Sequence, residues 1–409
     1  MPDQNKKFYY YFLGVLLYLS LIFGFVFNEN LTGGAYNDYI THREIIYKFS
    51  VNFIETFFQF DKEGTRHSPF LLIILSYFKK LGISDLVIRL INLHILLLTI
   101  FFFYKCLKVK FKSSNSITLY LISLLLFLSP TFRSLSIWPD SRLYGVLFFV
   151  ISIYFYLNFI KEKNDIKKFK FALFNTFYLC LASYFSPNFS LFVIFYLLTF
   201  LNHYKITMHL FIIILFNFFL SVPALYYVFF LKIFFFLTPV SLAGESLVAL
   251  NIANKIILIS SVFLFHYIPF FFLAKNKYKI NIKYLIILGL LFAICVHFFN
   301  YSLDFTGGGI IYKFSNILFN NNYFLYFFSF LGVTLIFSLC YKSMNNFLLI
   351  LLLILGNPQL EIYHKYYEPM LLIMFFTLFN INIDNQLLKK RIPILYTFSF
   401  LFLIANLMR

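Results

Sequence analysis

Apolar runs of about 20 residues recur from one end of this chain to the other, each long enough to cross roughly 30 Å of hydrocarbon as a helix. No soluble domain of 409 residues needs a composition that is 61% hydrophobic and 23% aromatic, with a mean hydropathy of +0.82. The chain therefore reads as an all-α polytopic membrane protein with about thirteen transmembrane helices. They fall near 8–27, 87–105, 116–132, 143–160, 170–186, 188–202, 208–230, 256–274, 284–300, 323–341, 347–360, 368–383 and 393–408. The first follows basic residues and lacks a small-residue cleavage site after it, so it is expected to be a retained span. The stretch 208–242 is hardest to divide, because its apolar run continues past one bilayer thickness.

A net charge of +18 would suggest nucleic acid in a soluble protein. Here the lysines sit in short connections between spans, where they set orientation and meet anionic lipid head groups, and no nucleic-acid partner is expected. With the N-terminus cytoplasmic, the inner loops hold Lys6 and Lys7, the run Lys105 to Lys112, the run Lys161 to Lys170, Lys205, the run Lys275 to Lys283, Lys342, and Lys389 to Arg391. The acids run the other way, and only Asp3, Glu162, Asp165 and Asp384 fall inside. Four cysteines, Cys106, Cys180, Cys295 and Cys340, lie in or beside apolar runs without CxxC spacing and read as small core residues.

Residues 1–409 form one transmembrane domain in this reading, with no separate soluble domain. The first outer loop, 28–86, is the longest connection. SPFLLIILSYFKKLG (68–82) is apolar but short and ends in two lysines, so it is expected as an amphipathic helix on the outer surface; VNFIETFFQF (51–60) is a second candidate.

Polar clusters gather in the outer segments. Asp38, in GGAYNDYITHRE, starts a surface helix, where a carboxylate suits the N-terminus; the chemical reading is a general base or metal-binding acid. Arg133, Asp140 and Arg142 fall in SPTFRSLSIWPDSRLYG (129–145) with the only Trp; two guanidinium groups beside a carboxylate suit a phosphate, and an aromatic anchor with a surface ion pair is the plain alternative. Arg66 and His67 open the surface helix as Arg-His-Ser-Pro, and Arg89 stands at the outer start of the next span, where snorkelling or phosphate contact both fit. Late in the chain, Glu361, His364, Lys365 and Glu368 cluster with three tyrosines after Asn357-Pro358-Gln359. Asp304, Gly307 to Gly309 and Lys313 make a weaker set. His94, His266 and His297 lie in or near spans and are given no role.

Taken in order, these stretches resemble the GT-C class of membrane glycosyltransferases, closest to the polyprenyl-phosphate-dependent group that includes protein O-mannosyltransferases and lipid A aminoarabinose transferases. The matching stretches are Asp38, Arg66-His67-Ser68-Pro69, Arg89, Ser129-Pro130 and Asp140-Ser141-Arg142-Leu143-Tyr144, with His364-Lys365-Tyr366-Tyr367 and Pro369 similar to a late segment of that group. The likeness covers roughly residues 8–160 by pattern and the rest by span layout. The chain departs from the pattern in having Tyr39 after Asp38 instead of an acid, Ser-Pro after His67, and no large outer C-terminal domain.

The resemblance implies a hexosyl- or pentosyltransferase that moves a sugar from a polyprenyl-phosphate donor to an envelope glycan or lipid acceptor by inverting single displacement. Asp38 would take the acceptor proton and Asp140 would orient the site. Arg66, His67, Arg89, Arg133, Arg142, Lys313, His364 and Lys365 would stabilise the leaving phosphate. No cofactor is certain; a divalent metal, if used, would sit on Asp38 and Asp140. The expected setting is a bacterial inner membrane with the active site on the outer face. A lipid-linked glycan polymerase or ligase, and a polytopic transporter or flippase, remain the alternatives; a carrier usually places its ionisable groups near the midplane of interrupted helices.

Overall fold

A computed structural model of the chain describes residues 2–31, 34–112, 114–235, 251–273, 281–303, 307–341, 343–357, 359, 361–383 and 385–408, the side chains of 2–7 and 385 excepted. Gly33, Asp304, Pro358 and Asp384, with the inner-loop residues Lys275, Lys277, Lys279 and Lys342, lie outside the described residues. The described chain is all-helical and falls into two compact units, Met1–Ser246 with Tyr396–Arg409, and Leu247–Leu395.

The first unit holds α1 (Pro2–Val26), α2 (Ala35–Val51), α3 (Phe53–Phe58), α4 (Pro69–Lys80), α5 (Asp85–Lys110), α6 (Ser116–Leu124), α7 (Pro130–Ile137), α8 (Ser141–Lys161), α9 (Asp165–Phe185), α10 (Phe192–Tyr204) and α11 (Met208–Leu225). The second holds α12 (Ile252–Phe271), α13 (Ile282–His297), α14 (Gly309–Phe319), α15 (Tyr323–Cys340), α16 (Met344–Leu355) and α17 (Glu368–Thr377). Helix α18 (Asn385–Leu407) begins in the second unit and passes to the first at Tyr396.

Each of the thirteen expected spans overlaps a helix, but 347–360 is helical only to Leu355 and 368–383 only to Thr377, and fewer than thirteen have the length and apolarity of a crossing. Six helical stretches are long and apolar enough to cross a membrane: Phe8–Val26, Asp85–Lys110, Ser141–Lys161, Met208–Phe230, Ile252–Phe271 and Tyr323–Cys340. A seventh crossing is made if Ser116–Leu128 and Pro130–Ile137, bent by 66° at their break, count as one broken span. Helices α13 and α16 are apolar but shorter. This is the make-up of a polytopic membrane protein.

The sequence starts its helices with side-chain caps. Ser68, Ser84, Asn115, Ser129, Asp140 and Asn164 each accept a backbone N–H from the first turn of α4, α5, α6, α7, α8 and α9. In α4 and α7 the capping Ser is followed by Pro at the first helical position, where a missing N–H removes nothing. The Ser129-Pro130 break bends the chain in the middle of an apolar stretch.

Within the first unit, α8 packs along α5 and α9. The first-loop helices are held by protein as well as by their apolarity. Ile45, Ile46 and Phe49 of α2, Phe60, and Leu71, Leu72 and Leu75 of α4 form one buried cluster with Ile88, Phe185, Tyr227, Ile233 and Phe235. The apolar face of α4 that suggested a surface helix is thus turned onto the first unit's own core. In the second unit α12 is central, packed against α13, α14, α15 and α17. It meets α15 at close quarters: Ser329 Oγ donates to the Ile257 carbonyl at 2.8 Å, and Gly332 lies against the Ser260 backbone.

Candidate functional site

Three separate stretches of the first unit deliver side chains to one polar site. Asp38 comes from the first turn of α2 and keeps 30% of its side chain exposed. His67 sits in the connection before α4, its backbone N–H bonded to Thr65 Oγ1, with 14% of its side chain exposed. Asp140 caps α8, accepting the Arg142 N–H at 2.8 Å, and is fully buried. His67 Nε2 lies 3.8 Å from Asp38 Oδ2 and His67 Nδ1 lies 3.8 Å from Asp140 Oδ1, so the imidazole is held between two carboxylates. Ser141 Oγ shares a 3.0 Å hydrogen bond with His67 Nδ1. Ligand atoms of Asp38, His67 and Asp140 all lie within 4.8 Å of one another. Two oxygens and a nitrogen at this spacing fit a divalent ion after a small inward shift.

His42 completes the floor of the site. It follows Asp38 by four residues on α2, so both project from one helix face. Its ring meets that of His67 edge-on at 4.7 Å, and its Nδ1 is buried without a hydrogen-bond partner among the described residues. Burial holds the His42 pKa down to about 4; His67 and Arg142 push the same way, and Asp140 and Asp38 oppose. At neutral pH His42 is therefore an uncharged imidazole beside a charged cluster. The sequence reading missed it, although the Asp38-x-x-x-His42 spacing was the available signal.

The expected phosphate ligands divide. Arg142 follows Asp140 into α8 and acts electrostatically on His42, so it stays with the cluster, while Arg66 is half-buried one residue before His67. Arg133 does not serve as expected. Its guanidinium is buried and held by Glu29 through two bonds of 2.6 and 2.5 Å, with two further bonds to Ser20. The pair with Glu29 is a buried tie between the end of α1 and α7, not a surface ion pair or a free phosphate ligand. Arg89 is also occupied, bonding the Ile137 carbonyl and Asn28 Oδ1 and stacking on Trp138 at 3.9 Å. Trp138 itself is buried and donates to the Glu29 carbonyl at 2.9 Å, so it braces the α7–α8 junction instead of anchoring an interfacial belt.

Lys313, His364 and Lys365 belong to the second unit. There His364 pairs with His266, Nε2 to Nε2 at 2.6 Å, which gives His266 a partner that the sequence did not announce. Burial, helped by Lys313, lowers the His364 pKa to about 3. Gly308 and Gly309 take left-handed φ values of 89° and 80° at the start of α14, and His364 Nδ1 lies 3.7 Å from the position a Cβ on Gly309 would occupy. Glu361 accepts a hydrogen bond from Tyr363, and Lys365 lies over the Tyr363 ring at 5.2 Å.

No protein-family model, curated protein or solved structure matches the chain.

Proposed function

We propose that this protein is a membrane glycosyltransferase of GT-C type that moves a sugar from a polyprenyl-phosphate donor to an envelope glycan or lipid acceptor. One observation supports the reading above the others: Asp38, His67 and Asp140, distant in sequence, lie within 4.8 Å of one another, and Asp38 is the accessible member. A base that must meet an incoming hydroxyl needs access; a residue that orients it is better buried.

In this reading the acceptor oxygen attacks C1 of the donor sugar as the C1–O bond to phosphate breaks, and Asp38 takes the acceptor proton. The polyprenyl phosphate leaves with the bonding electron pair, and the sugar inverts. Asp140, fixed by the Arg142 N–H, holds His67 in line with Asp38. Arg66 and Arg142 offer positive charge to the leaving phosphate, and His67 offers it a hydrogen bond. Asp38, His67 and Asp140 would also hold a divalent metal ion, whose chemistry there would be to offset negative charge on the donor. The same reading keeps about thirteen spans in a bacterial inner membrane, a cytoplasmic N-terminus and the active site on the outer face.

The test is purified protein in liposomes, offered a panel of radiolabelled polyprenyl-phosphate sugars and scored for release of polyprenyl phosphate. We expect release from at least one donor, and a loss on the order of 10²-fold or more in Asp38→Asn, the range for removing a general base. Normal transfer by a folded Asp38→Asn protein rejects the base assignment. No release from any donor favours a carrier.

A further inference from the structure

We propose that a lysine-walled cavity at the ends of α5 and α8 is a binding site for an anionic phospholipid head group. This is independent of the proposed transferase chemistry.

The cavity has a volume of about 490 Å³ and is lined by Lys105, Lys108, Lys112, Lys161 and Lys163, with Glu162 as its one acid. None of the five lysines forms an ion pair among the described residues. Their placement at helix C-termini has an ordinary explanation, which can be weighed by magnitude. The ends of α5 and α8 together carry roughly one negative charge, and Glu162 adds another. Five lysines exceed that by about three positive charges. Lys161 alone serves the helix end, donating to the Val109 and Lys110 carbonyls at the close of α5. Glu162 accepts the backbone N–H groups of Lys163 and Asn164 through Oε1 and forms no ion pair with the five lysines among the described residues. The surplus is a pocket that attracts a phosphate.

The neighbouring surface decides between a lipid and a soluble phosphate. Helix α5 leads into the cavity along a face on which Leu90, Ile91, Leu98 and Phe101 are exposed. Lys105 lies 5.2 Å over the Phe101 ring and Lys108 lies 5.5 Å over Tyr104. Apolar side chains on a membrane-crossing helix thus run directly under the ammonium groups. An amphiphile fits both parts, with acyl chains along α5 and its phosphate among the lysines.

The test measures lipid retained by the full-length detergent-purified protein, by native mass spectrometry after exposure to vesicles of phosphatidylglycerol and phosphatidylcholine. We expect a tenfold or greater preference for phosphatidylglycerol that weakens in high salt. A Lys105→Gln/Lys108→Gln/Lys112→Gln protein should lose the preference. The corresponding triple Arg substitution should keep it, as should Lys283→Gln in the second unit. Equal preference in the Gln triple variant, or none in the wild type, overturns the site. Full competition by soluble glycerol phosphate at matched concentration overturns the lipid assignment in favour of a free phosphate ester. If the Gln variant fails to fold, the salt dependence and the competition in the wild-type protein still decide the matter.

Discussion

At the residue scale, two side chains that look alike in the sequence have opposite fates. Arg133 and Arg142 both flank the Trp-Pro-Asp turn, yet Arg133 is spent on Glu29 while Arg142 stays with the polar cluster. Breaking the Glu29–Arg133 pair leaves a buried charge, so Arg133→Met should destabilise the protein by about 3–5 kcal/mol. The double variant Arg133→Met/Glu29→Leu should recover much of that loss and retain transfer activity. Melting in detergent and the liposome assay check both; a folded double variant without transfer would return Arg133 to the donor site. His42 gives a second residue-scale expectation. Its folded pKa of about 4 lies below the ordinary 6.5, so its contribution is complete above pH 6.5 and is lost as the pH falls toward 4. The loss is of order 3 kcal/mol at most, set first by burial and then by the opposing effects of its neighbours, His67 and Arg142 against Asp140 and Asp38. Melting curves between pH 7.5 and 4.5 should be flatter for His42→Gln than for the wild type, over a background of the same sign from His364. Identical slopes reject the assignment. Asp38 and Asp140 were legible as candidates because acids are scarce in such a chain. The tie of Arg133 to Glu29 was not, because the two are about a hundred residues apart and nothing local marks which cation an acid will choose.

At the element scale, α4 was readable as a helix from both ends: Ser68-Pro69 opens it and Lys79-Lys80 closes it. Its apolar face was readable too, but not what that face meets. A stripe of Leu and Ile specifies only an apolar neighbour, and here the neighbours are Ile45, Phe49 and Phe185. Close helix contact was equally hidden. Gly289 and Gly332 are both single glycines in apolar helices, yet a Cβ on Gly289 meets nothing within 4 Å, while one on Gly332 would lie 2.2 Å from the Ser260 carbonyl oxygen. Small residues let membrane helices approach closely, so the second position is where α15 touches α12. Gly332→Ala should cost about 1–3 kcal/mol as an overpacked contact. Gly289→Ala should be neutral or stabilise by up to about 1 kcal/mol through helix propensity. Thermal melting of the two variants side by side checks this, and equal melting temperatures would show that the α12–α15 contact yields freely.

At the scale of the whole molecule, hydropathy finds helices more surely than crossings. Ser141–Lys161 and Met208–Phe230 have nearly equal mean hydropathies of 2.0 and 2.1, yet 67% of the first window is buried in protein and 11% of the second. A stretch packed in protein and one left largely exposed therefore read alike, and so does a short apolar helix such as α17, whose buried side chains are apolar apart from Glu368 and Thr377. That is why thirteen apolar stretches all overlap helix while six reach crossing length and apolarity by themselves. Charge gives what hydropathy cannot, a difference between the two ends of one helix. Lys62 is exposed in the segment before α5, and Lys112 is exposed just after it. If α5 crosses the bilayer with the lysine-rich end inside, these two positions face opposite compartments. In a background with the four native cysteines replaced, Lys62→Cys should react with a membrane-impermeant maleimide on intact cells. Lys112→Cys should react only after permeabilisation. The reverse pattern would turn the molecule over, placing Asp38, which lies before α5 with Lys62, in the cytosol and removing the outer-face donor from the mechanism. Labelling of both positions from one side would mean that α5 does not cross at all, and the lysine cavity would then lose its place beside the lipid head groups.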